Sequence, residues 1–141
     1  MPPTPSWKRM LERRRGATVN IIGMGGKIAN PVHLPGGAAN SALMLATVGL
    51  AAAAGGSGIR VNGISPGATL TARVQQGLAA QAKMTGRPEA ELLAANQAKI
   101  PLQRCGTAEE MARVALFLVS EQASYVTGAI VPMDRGLGSV I

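Results

Sequence analysis

The nine residues Ile59 to Gly67, Ile-Arg-Val-Asn-Gly-Ile-Ser-Pro-Gly, constrain this chain most. Ile59, Val61 and Ile64 are apolar and β-branched, the make-up of a buried strand. Ser65-Pro66-Gly67 ends it, because Pro has no N–H for a ladder and Gly accepts positive φ. An apolar strand that stops before a helical stretch predicts an α/β sheet. Such sheets bind ligands at the carboxyl ends of their strands. Taken alone, these residues are read most simply as a structural strand and turn.

The rest of the chain alternates in the same sense. Ser6 predicts a cap for a short helix with Trp7, Met10 and Leu11 on one side, ended by Gly16. Ala17–Ile22 reads as a buried strand, followed by a loop of Gly23, Gly25 and Gly26. That loop lacks the third glycine and the immediate helix of a dinucleotide fingerprint, since position 28 is Ile and Asn30, Pro31 and Pro35 intervene. An Ala-rich helix is expected from about Gly37 to Ala54, apolar nearly all round, with one side on the sheet and another facing a second chain. Val74, Leu78, Met84, Leu92 and Leu93, interrupted by Gly86 and Pro88, predict two short helices within 69–100, a lid over a ligand or a plain surface insertion. Thr107 and Glu110 form a capping box, and Met111, Val114, Ala115 and Leu118 follow at helical spacing. Gly128–Met133 is the last strand, turned back by Asp134-Arg135-Gly136. The expectation is one α/β domain over 1–141 with a parallel sheet and right-handed crossovers.

Composition removes several function classes. The chain has 141 residues, 47% of them hydrophobic, which suits a single domain with its own core. Trp7, Phe117 and Tyr125 are its only aromatics, too few for a base-stacking nucleic-acid module. The net charge of +7 gathers at Lys8, Arg9, Arg13, Arg14 and Arg15, read as a solvated helix face rather than a nucleic-acid or membrane patch. Cys105 and His33 stand alone, which excludes an internal disulfide and a Cys/His metal cluster. Gly37–Ala54 is short of a membrane span. The basic start, with no apolar stretch behind it, is not read as a signal peptide. A cytoplasmic location is expected.

Asn62, Pro66, Gly67 and Thr71 together resemble the V-N-x-I-x-P-G-x-x-x-T signature of the short-chain dehydrogenase/reductase family. Other segments agree in order. Leu11–Ile22 resembles R-G-x-G-x-I-V-N-I, and Ile100–Arg104 resembles I-P-L-G-R. Thr107–Glu110 resembles T-P-E-E, Tyr125–Gly128 resembles Y-V-T-G, and Met133–Gly136 resembles V-D-G-G. The resemblance, from about Met10 to Gly136, implies about three strands of a Rossmann-like parallel sheet without the amino-terminal β-α-β dinucleotide-binding half. It implies NAD or NADP as cofactor, with Pro66, Gly67 and Thr71 beside the nicotinamide. It also implies hydride transfer between a carbonyl and an alcohol.

The departures from the family pattern bear on activity. The family's catalytic Ser, Tyr and Lys positions are Gly23, Gly36 and Asn40 here. Glycine has no proton to transfer, and Asn has no charge to lower a phenol's pKa. The Gly-Gly-Ala-x-Asn segment resembles a divergent subgroup. His33 and Asn40 are weak candidates for polar help near a substrate, and Asn20 is read as structural. Two expectations stand open. One is a truncated or split-gene oxidoreductase polypeptide, weak or silent alone. The other is a non-catalytic half-domain acting through homo-oligomers or with a complementing amino-terminal half. The resemblance places oligomer contacts on helix 37–54 and on the helix and strand within 107–134.

Overall fold

The computed structural model describes residues 5–28 and 31–136. Helix α1 spans Pro5–Arg13, strand β1 Gly16–Ile21, helix α2 Leu34–Ala54 and strand β2 Ile59–Pro66. Helices α3 (Ala72–Thr85), α4 (Glu89–Ala98) and α5 (Ala108–Val119) precede strand β3 (Ile130–Met133). The three strands form one parallel sheet in the order β1-β2-β3. The expected α/β alternation is present, and the two expected helices fill 69–100.

β2 is the centre of this sheet because its residues are the ones that tolerate burial on both faces. Ile59, Val61 and Ile64 are at most 1% exposed, and Ile22, beside the end of β1, is fully buried. Ala51 and Ala54 of α2 pack on Ile59 and Val61, with Trp7 and Met10 of α1 at the margin. Asn20 donates from Nδ2 to the Thr47 hydroxyl (2.8 Å), which itself donates to Leu43 O (2.7 Å). Asn20 is therefore structural, as expected: it pins α2 to β1. Two polar side chains bind β2 to the segment leading into β3. Asn62 donates to Val126 O (2.9 Å) and accepts from the Ala129 N–H (3.0 Å). Arg60 donates to the carbonyls of Leu118 (2.6 Å) and Ser120 (2.9 Å), which completes the end of α5 with a cation.

Several boundaries differ from expectation for identifiable reasons. Gly16 does not end α1; it opens β1. The helix stops at Arg13 because Arg14 turns left-handed (φ 50°) and its guanidinium donates to Gly56 O (2.8 Å). Ser6 lies inside α1, so the cap falls outside the described residues. The Ala-rich helix starts at Leu34 rather than Gly37, since Pro35 sits in its first turn, where a missing N–H costs nothing. The glycines after β1 form a short 3-10 turn, Met24–Gly26. Ile22 lies past the strand, yet its N–H still donates to Ile64 O (2.8 Å). The last strand begins at Ile130, because Gly128 is left-handed (φ 76°). Asn30, expected to interrupt a helix, lies outside the described residues. The stretch Leu34–Ser57 is long and apolar enough to cross a membrane. Its buried residues, Thr47, Ala51 and Ala54, face the sheet, and burial is otherwise less than its composition predicted.

The capping box is formed as the sequence predicted. Thr107 Oγ1 accepts from the Glu110 N–H (3.2 Å), and Glu110 accepts from the Thr107 N–H (2.8 Å). Arg104 adds a two-pronged ion pair to Glu110 at 2.6 and 3.0 Å. The Arg104 hydrogen bond first, then the Thr107 N–H, holds the Glu110 carboxyl down at about 2, against an ordinary 4.5. A carboxylate with a depressed pKa stabilises the fold above its unfolded value, and the contribution fades as pH falls from about 4.5 towards about 2. Acid titration followed by circular dichroism is expected to show helix loss in that window, and Glu110→Gln is expected to lose this pH dependence.

Candidate functional site

β2 and β3 end on the same side of the sheet, and the residues after β1 arrive there too. Gly67 donates its N–H to Met133 O (3.2 Å). A Cβ on Gly67 would lie 3.0 Å from Asp134 Cα, so the turn approaches β3 as closely as glycine permits. The Thr69 hydroxyl donates to Gly67 O (3.2 Å) and steadies the exit of the turn. The Thr71 hydroxyl accepts from the Val74 N–H (3.4 Å) and caps α3. Pro66, Gly67 and Thr71 thus form one strand–turn–helix entry at the carboxyl end of the central strand.

Gly23, Gly36 and Asn40 are also brought together, in a second cluster where α2 begins. Asn40 Oδ1 accepts from the Gly23 N–H (2.9 Å), and Asn40 Nδ2 donates to Gly36 O (2.8 Å). The Ser41 hydroxyl donates to Gly26 O (2.7 Å). The backbones touch as well: a Cβ on Gly26 would be 2.9 Å from both Asn40 C and Ser41 N. One on Gly37 would be 2.9 Å from Gly25 O. The glycine loop is thus held against the first turns of α2 by side-chain amide, hydroxyl and backbone contact. The side chains of Gly23, Gly36 and Asn40 carry no ionisable proton, and the amide of Asn40 is occupied by two backbone groups. His33 lies beside the cluster. Its Nε2 stands where a Cβ on Gly36 would fall, so the imidazole fills the space in which a longer side chain at 36 would start.

Two cavities lie near these clusters, though Pro66, Gly67, Thr71, Gly23, Gly36 and Asn40 line neither. One, of about 350 Å³, is bounded by Lys27, Ser65, Pro132, Asp134 and Arg135. The other, of about 310 Å³, reaches His33. Met24 and Ile28 line both. A larger cavity of about 520 Å³ lies at the amino ends of the strands. There Arg14 and Arg60 are engaged with backbone carbonyls and Arg15 pairs with Glu121. Lys27, Ser65 and Arg135 were not singled out from the sequence. Ser65 had one signal, its place directly before Pro66-Gly67. Arg135 had another: it stands where the resembling V-D-G-G motif has glycine, and it takes the left-handed conformation (φ 61°) that glycine favours. Its guanidinium donates to the carbonyls of Ala68 (2.6 Å) and Arg104, tying the exit of β2 to the segment before α5.

The chain as a whole is similar to known proteins. Residues 5–138 match the family model described as enoyl-(acyl carrier protein) reductase. The chain belongs to the short-chain dehydrogenase/reductase family. It is 37% identical over 131 residues to the inactive 2-(S)-hydroxypropyl-CoM dehydrogenase 2 of Xanthobacter autotrophicus, covering 93% of this chain and 55% of that protein. It is 39% identical over 131 residues to galactitol 2-dehydrogenase (L-tagatose-forming) of Cereibacter sphaeroides, covering 92% of this chain and 48% of that protein. The crystal structure of an actinorhodin polyketide ketoreductase with NADPH superposes with a TM-score of 0.84 at 27% identity, covering 93% of this chain and 50% of that one. The chain spans about half the length of the curated relatives it matches. The Rossmann-like fold implied by the resemblance is thereby shown.

Whether this short-chain dehydrogenase/reductase chain fits the family's NAD(P) can be judged from its glycines. A pyrophosphate needs free backbone N–H groups at a helix N-terminus. The Gly23 N–H is taken by Asn40, and the Gly26 N–H by Gly23 O (3.2 Å). The glycine loop therefore does not fit the phosphates.

Proposed function

We propose that this chain supplies the substrate-facing part of an NAD(P)-linked oxidoreductase that moves hydride between a carbonyl and an alcohol. The observation that carries the reading is the Pro66-Gly67 turn, fixed by β3 at the carboxyl end of the central strand beside a cavity, in a chain of this family. Pro66 and Gly67 then face the nicotinamide, Thr71 shapes the entry to α3, and α3 and α4 cover the substrate. The nucleotide's phosphates are held by residues outside this chain. With Gly23, Gly36 and Asn40 in the catalytic positions, the chain alone is weakly active or inactive. The relative at 37% identity carries "inactive" in its own name. The lone thiol of Cys105 suits a cytoplasmic setting.

A second reading has its own observation. α2 exposes Leu45 (77%) and Val48 (47%), α5 exposes Leu116 (68%), and the outer edge of β1 has no strand partner among the described residues. Such surfaces are normally covered. A half-domain that pairs with itself through α2 and through α5 with β3, or takes a complementing amino-terminal half along β1, would cover them. A thermal melt of the purified chain separates the readings, because a ligand of the folded state raises its melting point by mass action. A rise with millimolar NADH or NADPH supports the oxidoreductase. A melting point that ignores both nucleotides but climbs with protein concentration supports the half-domain and overturns the first reading.

A further inference from the structure

We infer that the cavity over the carboxyl ends of β2 and β3, walled on its far side by the loop after β1, binds a small, singly charged carboxylate. As the acid group of the compound reduced or oxidised, that carboxylate deepens the oxidoreductase reading and rests on it for that role only.

Three residues that carry donors line this cavity. Ser65 is 2% exposed and lines the cavity with a hydroxyl-bearing side chain. Nε of Arg135, on the same wall, is buried without a partner, while the two outer nitrogens of that guanidinium are spent on carbonyls. Lys27 closes the opposite wall, and its ammonium forms no ion pair among the described residues. A buried donor without an acceptor, here Arg135 Nε, is uncommon in folded proteins and marks a place where a water, ion or ligand completes the set.

The charge and shape of the cavity select among ligands. Lys27 and Arg135 contribute two positive charges and Asp134 one negative, which leaves a single positive charge to be met. Asp134 already accepts from the Gly136 N–H (3.1 Å), so its carboxylate is held at the rim and disfavours a doubly charged phosphate. An ionised carboxylate is acceptor-only, with two oxygens, and suits a hydroxyl, an ammonium and a guanidinium N–H together. Met24, Ile28 and Pro132 supply the apolar wall for a short carbon chain, within about 350 Å³. Ser65 directly precedes Pro66-Gly67, so an acid held there lies next to the turn assigned to the nicotinamide.

The test is isothermal titration of the full chain with sodium acetoacetate and, separately, with its neutral methyl ester. The acid is expected to bind at least about tenfold more tightly than the ester, the ratio for one charge-assisted hydrogen bond. Binding is expected to weaken as sodium chloride is raised. Lys27→Met, an exposed change that leaves the core intact, is expected to remove most of the preference, and Ser65→Ala part of it. Equal affinities for acid and ester, no binding of either, or an unchanged preference in Lys27→Met would overturn the inference and leave water as the partner of these donors. Nucleotide binding is read separately by the melts: carboxylate binding without any effect of NADH or NADPH keeps this site and sinks the oxidoreductase role. The reverse result sinks this site alone.

Discussion

Asn62→Ala is expected to destabilise the chain by about 2–4 kcal/mol, among the largest effects of any single polar substitution in it. Asn62 is fully buried in the central strand. Its amide meets both an acceptor and a donor on the segment entering β3, Val126 O and the Ala129 N–H. Alanine would strand the half-buried Ala129 N–H and leave Val126 O with only the longer bond from Arg60 (3.4 Å). An orphaned group costs about 1–3 kcal/mol, and the lost side-chain volume adds to that. The neighbouring bonds cannot compensate. The Thr127 hydroxyl already accepts from the Val61 N–H (3.1 Å), and the Gly128 N–H already donates to Val61 O (2.8 Å). In urea, the unfolding midpoint is expected to fall with an unchanged slope. A change within about 0.5 kcal/mol would mean that the β2–β3 junction is not held by this side chain.

That junction also shows what the sequence could and could not disclose. β2 was legible because Ile59, Val61 and Ile64 crowd β-branched apolar residues into one short run, and burial on both faces demands such a run. α5 was legible because a capping box is a local device, settled by residues three positions apart. Asn62 was legible only as part of a signature. Its two partners lie more than sixty residues away, and no local pattern encodes them. The same holds for Arg60 over the end of α5 and for Arg14, whose left-handed turn displaced the helix end expected at Gly16. Pro35 misled because proline breaks a helix interior but suits a first turn, and the difference depends on where the helix starts. At the site, the sequence singled out Gly23, Gly36 and Asn40 as departures from a family pattern and drew only a chemical loss from them. Their mutual hydrogen bonding required the fold. Ser65, Lys27 and Arg135 come from the ends of β2 and β3 and from the loop after β1, and a shared cavity is a property of sheet order rather than of spacing along the chain.

The glycines of the loop after β1 lead to a second large effect and a contrast that tests how the loop is held. Gly26→Ala is expected to cost about 1–3 kcal/mol, the usual penalty of overpacking. Gly36→Ala, in the same cluster, is expected to cost well under that. Both new methyl groups meet atoms closer than real Cβ atoms do, but the atoms differ. At position 26 they belong to the backbone of α2, Asn40 C and Ser41 N at 2.9 Å, within a helix that cannot shift without disturbing its packing on β1 and β2. At position 36 the obstacle is the ring of His33, an exposed side chain that can swing away. The Ser41 hydroxyl on Gly26 O and the Asn40 amide on the Gly23 N–H keep the loop seated, so it cannot yield at no cost either. Paired melts of the two variants would decide the matter. A large loss confined to Gly26→Ala means that the loop is locked to α2 and that the Gly-Gly-Ala-x-Asn segment is a packing device. Equal, small losses would mean the loop moves freely. The space between Gly26 and Asn40 would then be open to a ligand, a pyrophosphate included.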